Sequence, residues 1–216
     1  MLTSTAVQML RGTIFALGVI FFVSSAQATS AYPDSGAFVT ALGNRAIKLL
    51  GERVRTDEEQ EDRFRKLLRE GFAVRKIGRF VLGKYRRSSS NEDVAEFLNL
   101  FEDYIVSLYS SAFRNFSGET FAVVRVVKTR SPHDTMVITH INPDAADGPT
   151  KVVFQVRNTR GEYKILDVKI QGVSMIVTQR DEFTGFIRNN GGEIGPLIKA
   201  LRKKMASLKT RSRELR

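Results

Sequence analysis

Few residues in this chain stand where covalent chemistry would need them. Gly78-Arg79-Phe80-Val81-Leu82-Gly83-Lys84 has the spacing of a phosphate-cradling loop, in which backbone amides hold the phosphates and the lysine reaches them. The next residue is Tyr85, so the hydroxyl that would hold magnesium is missing, and no strand signal precedes the loop. The two glycines are expected to allow close packing or a bend instead. Ser174 sits in Gly172-Val173-Ser174-Met175-Ile176, which lacks the second glycine of a nucleophile elbow. His133 beside a turn and His140 on a strand have no carboxylate cluster at ligand spacing, so both read as ordinary surface or strand residues. Asp167 is the acidic residue within an apolar strand, expected at an exposed edge or in an ion pair with Arg180. Were the domain an enzyme, Asp167 would be its candidate base. Asn115-Phe116-Ser117 fits a glycosylation sequon, a pattern short enough to arise by chance. The reading is therefore no catalytic residue, no metal and no cofactor.

The elements around these residues follow from periodicity. Phe38, Leu42, Ala46, Leu49 and Leu50 share one helical face. Thr56-Asp57-Glu58-Glu59 forms a capping box ahead of a helix carrying Phe64, Leu67 and Leu68 and stopping near Gly71. Ser89 with Glu92 makes a second box, and the helix behind it has a wide stripe of Phe97, Phe101, Tyr104, Ile105, Leu108, Tyr109 and Ala112. From Glu119 the period changes: Phe121 to Thr129, Thr135 to Ile141, Lys151 to Arg157 and Tyr163 to Ile170 read as strands. Their connections are too short for helical crossovers, so the pairing should be antiparallel. Val152, Phe154 and Val156 should turn one face toward the helices, and Leu166, Val168 and Ile170 theirs. After Gly172 the apolar run Val173 to Val177 reads as a further strand segment. Thr178-Gln179-Arg180-Asp181 then opens a helix with Phe183, Phe186 and Ile187, and a last helix carries Leu197, Ile198, Leu201 and Met205. The expected fold class is α+β: a curved antiparallel sheet of about four to five strands, covered on its inner face by N- and C-terminal helices.

Residues 1–28 read as a cleavable export signal: Arg11, an apolar run from Thr13 to Val23, then Ala26-Gln27-Ala28. That run is shorter than the roughly 20 residues a membrane span needs. Residues 29–208 then form a single domain, with 209–216 as a basic tail. The chain contains no cysteine, so its core must hold without disulfides. Net charge is +11, and much of the excess lies in Arg75 to Arg87 and Arg202 to Arg216. For an exported chain the fitting partners are anionic lipid headgroups or an acidic protein surface, and not nucleic acid.

Between Tyr163 and Leu201 the residues carry a resemblance. Lys164-Ile165-Leu166-Asp167-Val168, Gly172-Val173-Ser174-Met175, Arg180, Phe183 and the glycine before Leu197-Ile198-x-x-Leu201 resemble the MlaC (toluene-tolerance) family. The likeness extends from about Phe38 to Met205. It implies a periplasmic phospholipid-binding protein serving the inner- and outer-membrane complexes of an ABC-type lipid transporter. A related branch is associated with hopanoid biosynthesis, and these residues do not separate the two.

A lipid carrier needs no covalent chemistry. Holding an acyl chain in water costs about 0.8 kcal/mol per methylene, and an apolar cavity recovers it. The expected lining is Phe101 and Ile105 from the aromatic stripe, with Val152, Phe154 and Val156 from the third strand. Leu166, Val168 and Ile170 from the fourth, and Val173 and Met175 beyond it, complete the lining. Two other classes stay open. A periplasmic adaptor would have a solid core with only water-sized voids, and an enzyme would place a polar cluster inside its pocket. A hollow of several hundred Å³ lined by aliphatics separates the carrier from the adaptor.

Overall fold

The structure is a computed structural model that describes residues 32–52, 56–110, 118–142, 145–146 and 148–214. The export segment, the sequon at Asn115 and Ala112 of the aromatic stripe lie outside them. Local hydrogen bonds decide where each helix begins. The Asp34 side chain accepts from the Ala37 N–H at 2.8 Å and opens α1 (Ser35–Gly51) three residues ahead of Phe38. Thr56 accepts from the Glu59 N–H at 3.1 Å and opens α2 (Asp57–Gly71). After α3 (Val74–Val81) a 3-10 turn, Gly83–Arg87, leads into α4 (Asn91–Ser110). Ser90, not Ser89, caps α4, accepting from the Asp93 N–H at 3.0 Å. Ser89 is drawn back to donate to the Tyr85 carbonyl at 2.8 Å, so the capping role passes one residue on.

Five antiparallel strands run in sequence order: β1 (Phe121–Lys128), β2 (Asp134–Ile141), β3 (Thr150–Thr159), β4 (Glu162–Ile170) and β5 (Val173–Ser174). The fold is α+β, with an open five-stranded antiparallel sheet. Arg160-Gly161 joins β3 to β4 and Gln171-Gly172 joins β4 to β5, with φ positive at all four residues. That is the signature of a type I′ hairpin, whose twist matches that of the flanking strands.

The register of β4 departs from simple alternation. Phe154 faces Val168 and Val152 faces Ile170, but Val156 faces Ile165. One extra residue on β4 makes a bulge there, and past it the pleat reverses. Ile165 rather than Leu166 therefore joins the inner face, where it is fully buried. The run after Gly172 also differs from expectation. Only Val173 and Ser174 pair as strand, and α5 (Met175–Asn189) begins at Met175 because Ser174 accepts from the Val177 N–H at 3.2 Å. A last helix, α6 (Gly195–Glu214), packs on α4.

Two hydrophobic cores result. One lies among the helices, where Phe97, Phe101, Val81, Leu82, Phe183, Ile187 and the start of α6 pack together. The other lies between α1 and the sheet, and holds Phe38, Val39, Val137, Val156 and Ile165. Phe72, at the end of α2, packs against both. Gly78 is needed for the close approach of α3 to α4, since a Cβ there would stand 2.5 Å from Leu98 Cδ2.

On the outer face of the sheet, Arg157 donates to both Asp134 oxygens at 2.6 and 2.8 Å, and Gln155 donates at 3.2 Å. The Arg157 hydrogen bond outweighs the opposing effect of burial and, with Gln155, holds the Asp134 carboxyl below its usual range. A carboxyl depressed by folding stabilises the protein above its unfolded value and loses that contribution as pH falls through the folded one. Asp134→Asn should therefore destabilise by about 1–3 kcal/mol at neutral pH. The penalty should shrink below about pH 4 as the wild-type carboxylate protonates. Urea denaturation across that pH range checks it, and a penalty that ignores pH would rule out the ion pair as its source.

Candidate functional site

The two cores do not close on each other. Between them lies a cavity of about 300 Å³, at the lower end of the range for ligand sites, about 300–1,000 Å³. The sheet contributes Phe154, Asp167, Val168 and Ile170. The helices contribute Phe64 and Leu68 from α2, Val74, Ile77 and Val81 from α3, and Phe101, Ile105 and Tyr109 from α4. Phe72 bridges the two sides, and Met175, Ile176 and Gln179 of α5 complete the wall.

Ile170 and Tyr109 line the cavity and are 41% and 38% exposed, which places them where it meets solvent. Val173, paired with Ile170, is also open to water, as is Val177 in the first turn of α5. A bound amphiphile can thus keep its tail inside and its head near this lip.

The polar groups of the wall are turned to the protein's own needs. Asp167 is buried, and its Oδ1 accepts from the Ile176 N–H in the first turn of α5 at 3.3 Å. It makes no ion pair with Arg180, whose guanidinium instead stacks on the Phe80 ring, 4.7 Å from its centroid. Asp167 pairs with Gln155 beside the bulge and is among the residues lining the cavity with Val168. Gln179 donates to Glu182 at 3.0 Å. Burial, and after it the charge of Glu182, raises the Tyr109 phenol above its usual pKa, so it stays neutral. Such a wall takes hydrocarbon and presents no nucleophile paired with a base. Ser174 caps α5, and neither His133 nor His140 is among the lining residues. Among the described residues no group of His, Asp or Glu could hold a metal ion.

Of the residues expected to line a cavity, the structure brings together Phe101, Ile105, Phe154, Val168, Ile170 and Met175. Val152, Val156, Leu166 and Val173 lie elsewhere. Val152 and Val156 are buried, and Val156 packs in the solid core under α1. Leu166 sits at the bulge, and Val173 is 55% exposed at the lip. The contributions of α2 and α3 were absent from the sequence reading. Helical periodicity marked Phe64 and Leu68 as apolar positions of a helix, but carries no signal for whether an apolar face meets side chains or a hollow.

A second hollow, about 430 Å³, lies beside Phe38 and Tyr163, but Arg45, Glu70, Arg160, Glu162 and Lys164 line it as well. Its charged lining suits hydrocarbon poorly.

The family model described as MlaC protein matches residues 42–203. The chain is 29% identical over 119 residues to the intermembrane phospholipid transport system binding protein MlaC of Haemophilus influenzae. That alignment covers 53% of this chain and 54% of the relative, so the chain spans about half the length of the curated relative it matches. A solved phospholipid-binding protein from Ralstonia solanacearum, in complex with a phospholipid, superposes with a TM-score of 0.68 at 17% identity. The superposition covers 82% of this chain and 99% of that one, a likeness of fold. Over most of its length, from the middle of α1 into α6, the chain belongs to the MlaC family.

Proposed function

We propose that this protein is a periplasmic carrier that holds phospholipid acyl chains in the seam between its two cores and moves lipid between inner- and outer-membrane complexes of an ABC-type transport system. The single observation that carries the reading is an apolar cavity with sheet on one side and helices on the other, opening at Ile170 and Tyr109. Family membership and the fold shared with a phospholipid-binding protein support it. The export signal read in residues 1–28 supports the compartment. Among the described residues no helix is long and apolar enough to cross a membrane.

The carrier works by solvent exchange. A tail leaving the bilayer would lose about 0.8 kcal/mol per methylene in water, and the side chains of the seam replace the contacts it leaves. No bond is made or broken, so the protein acts as a binding protein and not as an enzyme. Selectivity falls on the tail, since the buried polar groups Asp167 and Gln179 already have protein partners.

The test is to purify the protein after export, extract it with organic solvent and identify the extract by mass spectrometry. Phospholipid at a near-stoichiometric level is the expected result. A ligand-free protein that also takes up no lipid from vesicles would remove the carrier reading, and an isoprenoid in the extract would change the ligand.

A further inference from the structure

We infer that the outward face of α3 and the 3-10 turn after it dock on the phosphate groups of an anionic bilayer. This rests on the carrier reading and gives it an orientation, because the helix that lands on the membrane is also a wall of the lipid cavity.

Between Gly71 and Asn91 the chain has no Asp or Glu, and it carries Arg75, Lys76, Arg79, Lys84, Arg86 and Arg87. All six are exposed, and no ion pair to an acid is seen for any of them among the described residues. The neighbouring helices differ. Arg63, Arg65 and Arg69 of α2 are all paired with carboxylates, Arg65 and Arg69 sharing Glu102 at 3.2 and 2.7 Å. The α3 face and the turn after it therefore leave six cations, with no acid interleaved in the sequence, to an outside partner.

Two features favour a lipid surface over an acidic protein. Val74, Ile77 and Val81, on the other side of the same short helix, line the cavity. A docked α3 thus separates the source of the lipid from its binding site by one helix. Phe80 lies 38% exposed among the cations with Arg180 stacked on it, and Lys84 lies 5.2 Å from the Tyr85 ring centroid. Lysines and arginines mixed with aromatic rings suit the headgroup layer, where charge meets phosphate and the ring meets the acyl boundary.

The attraction is electrostatic, so it follows membrane charge and ionic strength. Each basic residue held near an anionic leaflet strengthens binding about fivefold. Cosedimentation with vesicles of phosphatidylglycerol and phosphatidylcholine should show binding that rises with the glycerol lipid and falls with salt. The triple variant Arg75→Gln/Lys76→Gln/Arg79→Gln should bind about 100-fold more weakly. Lys199→Gln/Lys203→Gln/Lys204→Gln on α6 removes the same charge elsewhere and should bind like the wild type. Circular dichroism and the lipid content of each variant are measured alongside. Equal binding to neutral vesicles, no binding to either kind, or equal losses in both variants would overturn the docking face. A protein that carries lipid but ignores anionic vesicles sinks this inference alone, whereas an empty protein that still binds them sinks the carrier reading.

Discussion

Val168→Trp is expected to leave the protein folded and nearly empty of lipid. Val168 is half-buried on the inner face of β4, opposite Phe154, and its side chain ends in the cavity. An indole there can grow into free space instead of into packed neighbours, so the overpacking penalty of about 1–3 kcal/mol for a filled core should largely be avoided. What it displaces is ligand. Excluding on the order of three or four methylenes, each worth about 0.8 kcal/mol, weakens binding by about 100-fold. Val156→Trp is the matched comparison. Val156 is fully buried in the solid core with Val137 and Ile165, so the same indole has nowhere to go and the domain should lose stability or fail to fold. Lipid content by mass spectrometry and thermal melting of both variants separate the outcomes. If Val168→Trp retains its lipid, the seam is not where the tail lies.

The largest loss of stability from a single truncation is expected at Phe97. Its ring is fully buried, stacks on Phe101 at 5.8 Å between centroids and meets Phe183 edge-on at 5.9 Å. Phe97→Ala deletes a ring from a close-packed site and should destabilise by about 3–5 kcal/mol. Against a total of about 5–15 kcal/mol, that is a large part of the margin. Phe101→Ala should be milder, because one side of that ring already faces the cavity and its loss enlarges a hollow instead of creating one. The phenylalanines stand one helical turn apart on the same stripe. Chemical denaturation of both single variants measures the difference. Equal losses would mean that Phe101 is packed on all sides, which contradicts the cavity.

These pairs show where sequence reading stops. Phe97 and Phe101, like Val156 and Val168, are identical in residue type and alternate alike, and nothing local tells solid core from cavity wall. Leu166 was expected inward because strands alternate, and a single extra residue on β4 put Ile165 there instead. Asp167 was expected at an edge or beside Arg180, and the structure instead buries it in the cavity wall, where it accepts from the first turn of α5. Val173 to Val177 looked like strand because three of its five residues are β-branched and a fourth, Met175, is apolar. Ser174 and Asp167 supply acceptors for the first N–H groups of a helix, and these prevailed over the preference for strand.

The order of elements, the antiparallel pairing, the α+β class and the family were legible in the chain alone. Each rests on short-range information: periodicities of two and 3.6, capping side chains, turn glycines and a run of motif residues within forty positions. The cavity was decided only by the tertiary structure. A hollow exists where two cores that are each well packed meet along a seam neither can fill, and that depends on how far α2, α3 and α4 stand from β3 and β4. Distances between elements remote in sequence leave no mark on the local pattern of either one.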